Sequence, residues 1–254
     1  MKNDLSANYV LMKDIQESGN FTNGVLKEIP EVEWQPLDDF SGKFYGNNHS
    51  ISGLYVNSGD SYVGLFSEID GGSVTNLTIK DSYISSSNSG AYVGAFAGYM
   101  YNGTVKYCHN VNTTVVSQKY AGGIIGVAYK NPYYCSNSGD ITSVQYAGGI
   151  VGMGMVEVMQ SYNTGTIKSG NRAGGICGDG GAINCYNLGS VSGPYAGGIA
   201  GNATLSSVKN CYNGGVVSGA NTPSGITNLS LGTIQNNYYQ DGTAGGGISG
   251  GDSE

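Results

Sequence analysis

The apolar positions of this chain fall into runs too short for helices and too regular for loops. A run of small and apolar residues returns as YVGAFAG (92–98), YAGGIIG (120–126), YAGGIVG (146–152), RAGGICG (172–178) and YAGGIAG (195–201), with starts 28, 26, 26 and 23 residues apart. YVGLF at 62–66 is an earlier, worn copy and TPSGIT at 222–227 a later one. Within a run the side chains alternate, Ala121, Gly123 and Ile125 against Gly122, Ile124 and Gly126, which is the two-residue period of a strand. A glycine pair in every run would cost a helix about 1 kcal/mol per residue relative to Ala. Strand is the expectation.

A second phrase follows each first: VKYCHN (105–110), PYYCSN (132–137), MQSYNTG (159–165), INCYNLG (183–189) and VKNCYNGG (208–215, with Val208 leading). A third closes the unit, as DIT (140–142), TIKSG (166–170), SVSG (190–193) and VVSG (216–219). Three short β segments per unit, punctuated by Gly and Asn, predict an all-β fold. It is a single-stranded right-handed parallel β-helix (β-solenoid) of about 26 residues per coil, each coil stacking about 4.8 Å above the last. The right hand follows the chirality of parallel crossovers. One domain is expected over 1–240, with 16–33 breaking the repeat as a cap or insertion. The glycine-rich 241–254 reads as a last coil running into a linker or tail.

Stacking converts each repeat position into a column. The second phrase aligns Asn110, Asn137, Asn163, Asn187 and Asn213, four of them followed two residues later by Gly139, Gly165, Gly189 and Gly215, while the first copy carries Asn112 there. This predicts an internal Asn ladder at a corner, with Asn in a left-handed turn. Cys108, Cys135, Ser161, Cys185 and Cys211 form another column. Its ligands would lie along a line rather than converge, and there is no C-x2-C element, so buried, reduced packing is expected in place of zinc. Cys177 lies apart, in the glycine-rich phrase.

The motifs quoted above, aGGI-x-G and then N-C-Y-N-x-G-x-[VI]-x-G, together with the leading segment NYVLMKDI (8–15), resemble the GLUG repeat of bacterial secreted and cell-surface proteins. The resemblance spans roughly 8–250. It implies an extracellular or surface location and a non-catalytic module, a stalk or adhesive array, beside other domains of a larger parent protein. Such arrays accompany surface adhesins and large secreted proteases, including immunoglobulin-cleaving ones.

The composition narrows the functional classes. With 254 residues, 44 Gly, 20 Tyr, 11% charged residues and a net charge of −7, the chain lacks the basic face that nucleic acid requires. No apolar run reaches the length of a membrane-spanning helix, and the residues after Met1 lack the basic segment and apolar core expected of a secretory leader. The repeated glycines do not form a phosphate loop: no helix follows them and no Walker lysine is present. No cofactor is expected.

Tyr120, Tyr146 and Tyr195 share a column with Tyr92, interrupted by Arg172; Tyr162, Tyr186 and Tyr212 form a second. Stacked packing rungs are one reading. The other is a ligand-contact face for a glycan of the host or cell wall, or for a host surface protein. Catalytic groups are not apparent. His109 occupies the slot of Tyr186 and Tyr212, and His49 sits in a polar turn. Asp38, Asp39, Asp60, Asp70, Asp81 and Asp140 show no recurring pair. A carbohydrate-active β-helix, lyase or hydrolase, is the alternative expectation, since it would need converging carboxylates or a basic partner beside them.

Overall fold

The computed structural model describes residues 4–22 and 25–248. It is all-β, a parallel β-solenoid of about 7 turns. One winding sheet carries 24 strands and a second carries 7. The second holds the third phrase of each unit, from Tyr55–Ser58 through Ile141–Ser143 to Val217–Ser218, all parallel and in register. β-branched residues line its inner side: Val56, Ile84, Val115, Ile141, Ile167, Val191 and Val217 form a buried column, where branched side chains pack well on a pleated surface.

The glycine-rich phrase is two strands joined by a bend. Tyr120–Gly122 and Ile125–Ala128 flank the turn, and the same break recurs at Tyr146–Gly148 with Val151–Met159. Phe96, Ile124, Ile150, Ile176, Ile199 and Ile226 sit at this bend as a continuous buried column. The bend therefore places Ile124 and Ile125 both inside, which strict alternation did not foresee.

The Asn ladder is present. The Nδ2 of Asn110 donates to Asn137 Oδ1 at 2.7 Å, and the pattern continues Asn137 to Asn163 at 2.7 Å, Asn163 to Asn187 at 2.7 Å and Asn187 to Asn213 at 2.8 Å. All five side chains are fully buried. From Asn137 onward each amide also spans its own turn: Asn163 Nδ2 donates to the Gly165 carbonyl at 3.0 Å, and Gly165 N–H donates to Asn163 Oδ1 at 3.2 Å. The conformation differs from the expectation. The left-handed residues are not the ladder Asn but those three positions earlier, Tyr107, Tyr134, Gln160, Asn184, Asn210 and Asn236, with φ between 50° and 56°. The ladder Asn are extended, because each belongs to a short parallel strand.

Glycine follows the ladder because coils approach closely there. A Cβ on Gly165 would lie 2.0 Å from the Gly139 carbonyl oxygen of the preceding coil and 2.9 Å from Asn137 Nδ2. Asn112 is not the first member of that glycine column. The register Asn110↔Asn137 and Val115↔Ile141 places Thr113 opposite Gly139 and makes Asn112 an extra residue, left-handed at φ 51°, in a wider turn.

At the N-terminal end, Asn8–Val10 and Ile15–Gln16 pair with Lys43–Ser52. Within the segment expected as a cap, Asn20–Thr22 and Val25–Glu28 form an antiparallel hairpin outside the parallel sheets. At the other end Gly246–Ile248, inside the stretch expected as a last coil running into a tail, pairs with Ser224 and Thr227; residues 249–254 lie outside the described residues.

The ladder makes a stability prediction with opposite outcomes at two positions. Asn163→Ala removes the bonds to both neighbouring coils and its own turn and leaves Asn137 Nδ2 and Asn187 Oδ1 short of partners, a loss of about 3 kcal/mol or more. Asn110 Oδ1 is buried with no partner and lies in register over Ile79, so Asn110→Ile should change stability by about 1 kcal/mol or less. Chemical denaturation of the two variants checks this; equal losses would contradict the assigned polarity of the ladder.

Candidate functional site

The first tyrosine column runs along the solenoid axis at the corner before each glycine bend. Parallel pairing holds Tyr62, Tyr92, Tyr120, Tyr146, Arg172 and Tyr195 in one row. Ring centroids are 5.2 Å apart for Tyr62–Tyr92, 5.2 Å for Tyr92–Tyr120 and 5.1 Å for Tyr120–Tyr146. Of the three residues expected as a contact face, Tyr120 and Tyr146 are direct neighbours. Tyr195 stands two coils on, 43% exposed, beyond Arg172. Arg172 lies over the Tyr146 ring at 5.3 Å, donates to Tyr146 Oη at 3.2 Å and faces Asp179 at 3.7 Å. Lys119 Nζ sits 4.9 Å from the Tyr120 ring centre and 5.5 Å from that of Tyr92. Burial raises the Tyr120 phenol above its ordinary pKa, with Tyr146 and Tyr92 adding to it.

A branch of tyrosines joins the row that repeat-counting missed. Tyr99 stacks on Tyr62 at 5.2 Å and reaches Tyr101 and Tyr129 at 6.5 and 5.9 Å. Tyr101 and Tyr129 lie 28 residues apart, the interval of Tyr92 to Tyr120, but Tyr99 has no copy at that spacing. The column of Tyr99 continues as Val127, Met153 and Asp179, and Tyr101 falls in a register shift between Met100 and Asn102. Only the fold brings them beside the row. Glu68 pairs with Tyr99; burial, with Asp39 and Asp70 nearby, raises its carboxyl above the usual range.

The second column is less continuous. Tyr162 and Tyr186 stack at 4.9 Å, nearly parallel. His109, Ser136, Tyr162, Tyr186, Tyr212 and Tyr238 share the register, and His109 Nδ1 bonds Ser136 Oγ at 2.8 Å. Burial lowers the His109 pKa. His49 lies 3.3 Å from Asp14, which also accepts the Ser50 N–H.

Cys108, Cys135, Cys185 and Cys211 line one inner wall, and Cys177 lies on the glycine-rich strand in register with Val151 and Ala200. Cys108, Cys135, Cys177, Cys185 and Cys211 are free and buried. In the column each sulfur donates to the carbonyl two residues earlier, as Cys135 to Tyr133 at 3.2 Å and Cys211 to Lys209 at 3.2 Å, and Ser161 does the same to Met159 at 2.8 Å. That shared bond explains why Ser serves the slot. Burial pushes the Cys108 and Cys177 thiols up and that of Cys135 to about 12. Among the described residues no three His, Cys, Asp or Glu converge on a metal-sized point, and no helix is long and apolar enough to cross a membrane.

With this geometry in hand, comparison with known proteins bears on the fold. No family model matches the chain. The crystal structure of a "putative immunoglobulin A1 protease" from Bacteroides ovatus superposes with a TM-score of 0.70 at 20% identity, over 92% of this chain and 77% of that one. That likeness shows a shared repeat solenoid. In sequence, 74 residues are 38% identical to a "Putative Gly-rich membrane protein" of Evansella cellulosilytica, and 108 residues are 34% identical to "Halomucin" of Haloquadratum walsbyi. These matches cover 27% and 41% of this chain but only 9% and 1% of the relatives, so the chain matches a small part of far longer proteins.

The thiol wall gives a pH prediction. Cys135 is raised from 9.0 to about 12, so the folded state favours the neutral thiol. Its contribution is complete below pH 9 and is lost as pH rises toward 12, because the unfolded chain ionises first. The slope is about 1.4 kcal/mol per pH unit for this one group. Denaturation midpoints across that window should fall less steeply for Cys135→Ser, a side chain the column already accepts at Ser161. Identical slopes in the two proteins would contradict the assignment.

Proposed function

We propose that the chain is a non-catalytic, ligand-presenting module of a larger bacterial secreted or cell-surface protein. The observation that carries this is the tyrosine row. It runs unbroken through the coils of Tyr62, Tyr92, Tyr120 and Tyr146 at nearly constant spacing, and a contact surface built this way spreads along several coils instead of closing around one point. The names of the relatives support the setting: one is called a membrane protein, another a mucin, and both are many times longer than this chain. The fold neighbour's name links a similar solenoid to a protease acting on immunoglobulin, which fits an accessory array beside a separate catalytic domain. A glycan or a host surface protein is the partner this face suits, because weak contacts to successive coils add through effective concentration.

One observation favours an enzymatic reading. Glu68, whose carboxyl burial raises above its usual range, adjoins Tyr99, which stacks on Tyr62, and a carboxyl shifted in that direction is the kind of group that general-acid catalysis recruits. A hydrolase or lyase needs a second positioned group, and the module reading supplies no role for one.

The purified chain, screened on immobilised glycans and extracellular proteins, tests the proposal. Tyr120→Ala, Tyr146→Ala and Tyr195→Ala should each weaken binding in modest steps, with folding checked by thermal melting. Complete loss from a single change would indicate one local pocket. Polysaccharide turnover that disappears in Glu68→Gln would replace the module reading with the enzymatic one.

A further inference from the structure

The ladder geometry restricts how the row can hold a ligand. We infer that Tyr62, Tyr92, Tyr120 and Tyr146 bind a neutral, equatorially linked polysaccharide lying along the solenoid axis, through their phenol hydroxyls and not their ring faces. This rests on the ligand-presenting reading above and names its ligand class.

The ring faces are already occupied. Each tyrosine of the row lies 5.1–5.2 Å from the next, with interplanar angles of 25°, 23° and 19°. Tyr99 stacks on Tyr62, Lys119 packs over Tyr92 and Tyr120, and Arg172 covers the far side of Tyr146. A sugar ring needs a free aromatic face to stack, and these rings offer their edges instead. The hydroxyls remain available. Those of Tyr62, Tyr92 and Tyr120 have no protein partner among the described residues, while none is among the buried atoms lacking one; all three rings are part-exposed. The Tyr146 hydroxyl accepts from Arg172 and keeps its own proton to donate.

The ring centroids of the row advance 5.1–5.2 Å per coil, the coil step, and stacking holds the rings, so little side-chain freedom is lost when their hydroxyls bind. A ligand that meets every member must advance by the same step and stay straight. An equatorially linked pyranose chain is an extended ribbon that advances about one ring length per unit and carries hydroxyl or amide oxygens along its edge. An axially linked chain coils and falls out of step after a unit or two. Charge selects a neutral polymer. Lys119 over Tyr92 and Tyr120 and Arg172 over Tyr146 are the cations on the row; Glu68, Asp39 and Asp70 lie toward the Tyr62 end and Asp179 engages Arg172, so carboxylates outnumber cations and the row does not favour a polyanion.

The test uses titration calorimetry with cellohexaose, chitohexaose, maltohexaose and an oligogalacturonate. The proteins are the unmodified chain, Tyr92→Phe, Tyr120→Phe and the pair combined. Phe keeps the ring and its stacking, so melting temperatures should hold while only the hydroxyl is lost. Expected is binding of cellohexaose or chitohexaose, weaker binding of the other two, a two- to tenfold loss for each Phe change, and a larger loss for the pair. Unchanged affinity in the Phe variants overturns the hydroxyl mode. Equal binding of maltohexaose or the oligogalacturonate overturns the ligand class. If the chain binds only proteins or unrelated glycans, this inference falls while the presenting-module reading stands; if it binds nothing in either screen, both fall.

Discussion

The fold depends on a buried Asn side chain pressed against a glycine backbone. On one wall of each central coil an Asn amide bonds to the coils before and after it; on the facing wall the second glycine of the bend leaves space for it. A Cβ at Gly123, Gly149, Gly175 or Gly198 would come within 2.7, 2.7, 2.4 and 2.4 Å of the facing Asn side chain. Buried amides are costly unless every donor and acceptor is matched. Stacking supplies the match, since the coil rise equals the reach of one amide to the next. The glycines are thus the complement of the ladder, and neither column is stable without the other.

This constraint separates two kinds of coil. In the wide N-terminal coils the corresponding positions are Leu65 with Ile79, and the interior is filled by Phe40, Phe66 and Leu77; Phe40 and Phe66 stack at 4.5 Å. In the next coil the pair is Ala95 with Asn110, and from Gly123 with Asn137 onward the interior is thin. The unmatched Asn110 Oδ1 marks where an apolar core meets the polar ladder. The other end is closed by substitution. Tyr239 takes the ladder position against Gly225, and Asn237 takes the cysteine slot, accepting the Cys211 N–H at 2.9 Å and donating to the Val208 carbonyl at 2.8 Å.

Much of this was legible in the sequence because a solenoid repeats its chemistry at a fixed interval. The parallel stacking, the Asn ladder and the cysteine wall followed from columns alone. What escaped detection lies where the interval breaks. Asn112 is an insertion, and counting two residues on from Asn110 put Asn112 in the glycine slot that Thr113 fills. The left-handed column of Tyr107, Tyr134, Gln160, Asn184, Asn210 and Asn236 has no shared residue type, because a single φ near 50° tolerates several side chains when the turn is well bonded. Tyr101 sits in a bulge one repeat interval before Tyr129, and Tyr99 belongs to a column otherwise aliphatic or acidic. The packing of Tyr99 against Tyr62 and Tyr92 is a tertiary event that no periodicity encodes.

The same change in coil width shapes the candidate face. The unbroken tyrosine row, Tyr62 to Tyr146, and its branch through Tyr99 lie on the coils of 30, 28 and 26 residues between Tyr62, Tyr92, Tyr120 and Tyr146. The row is interrupted at Arg172, where the following interval to Tyr195 shortens to 23. At that corner Arg172, 3.7 Å from Asp179, puts an ion pair in place of a ring. Wide coils can carry bulky residues both inside and outside, whereas thin coils spend their interior on the ladder. The continuous stack of rings therefore belongs to the coils from Tyr62 to Tyr146, and the proposed contact face would be centred there, while beyond Arg172 the first column offers the single tyrosine Tyr195.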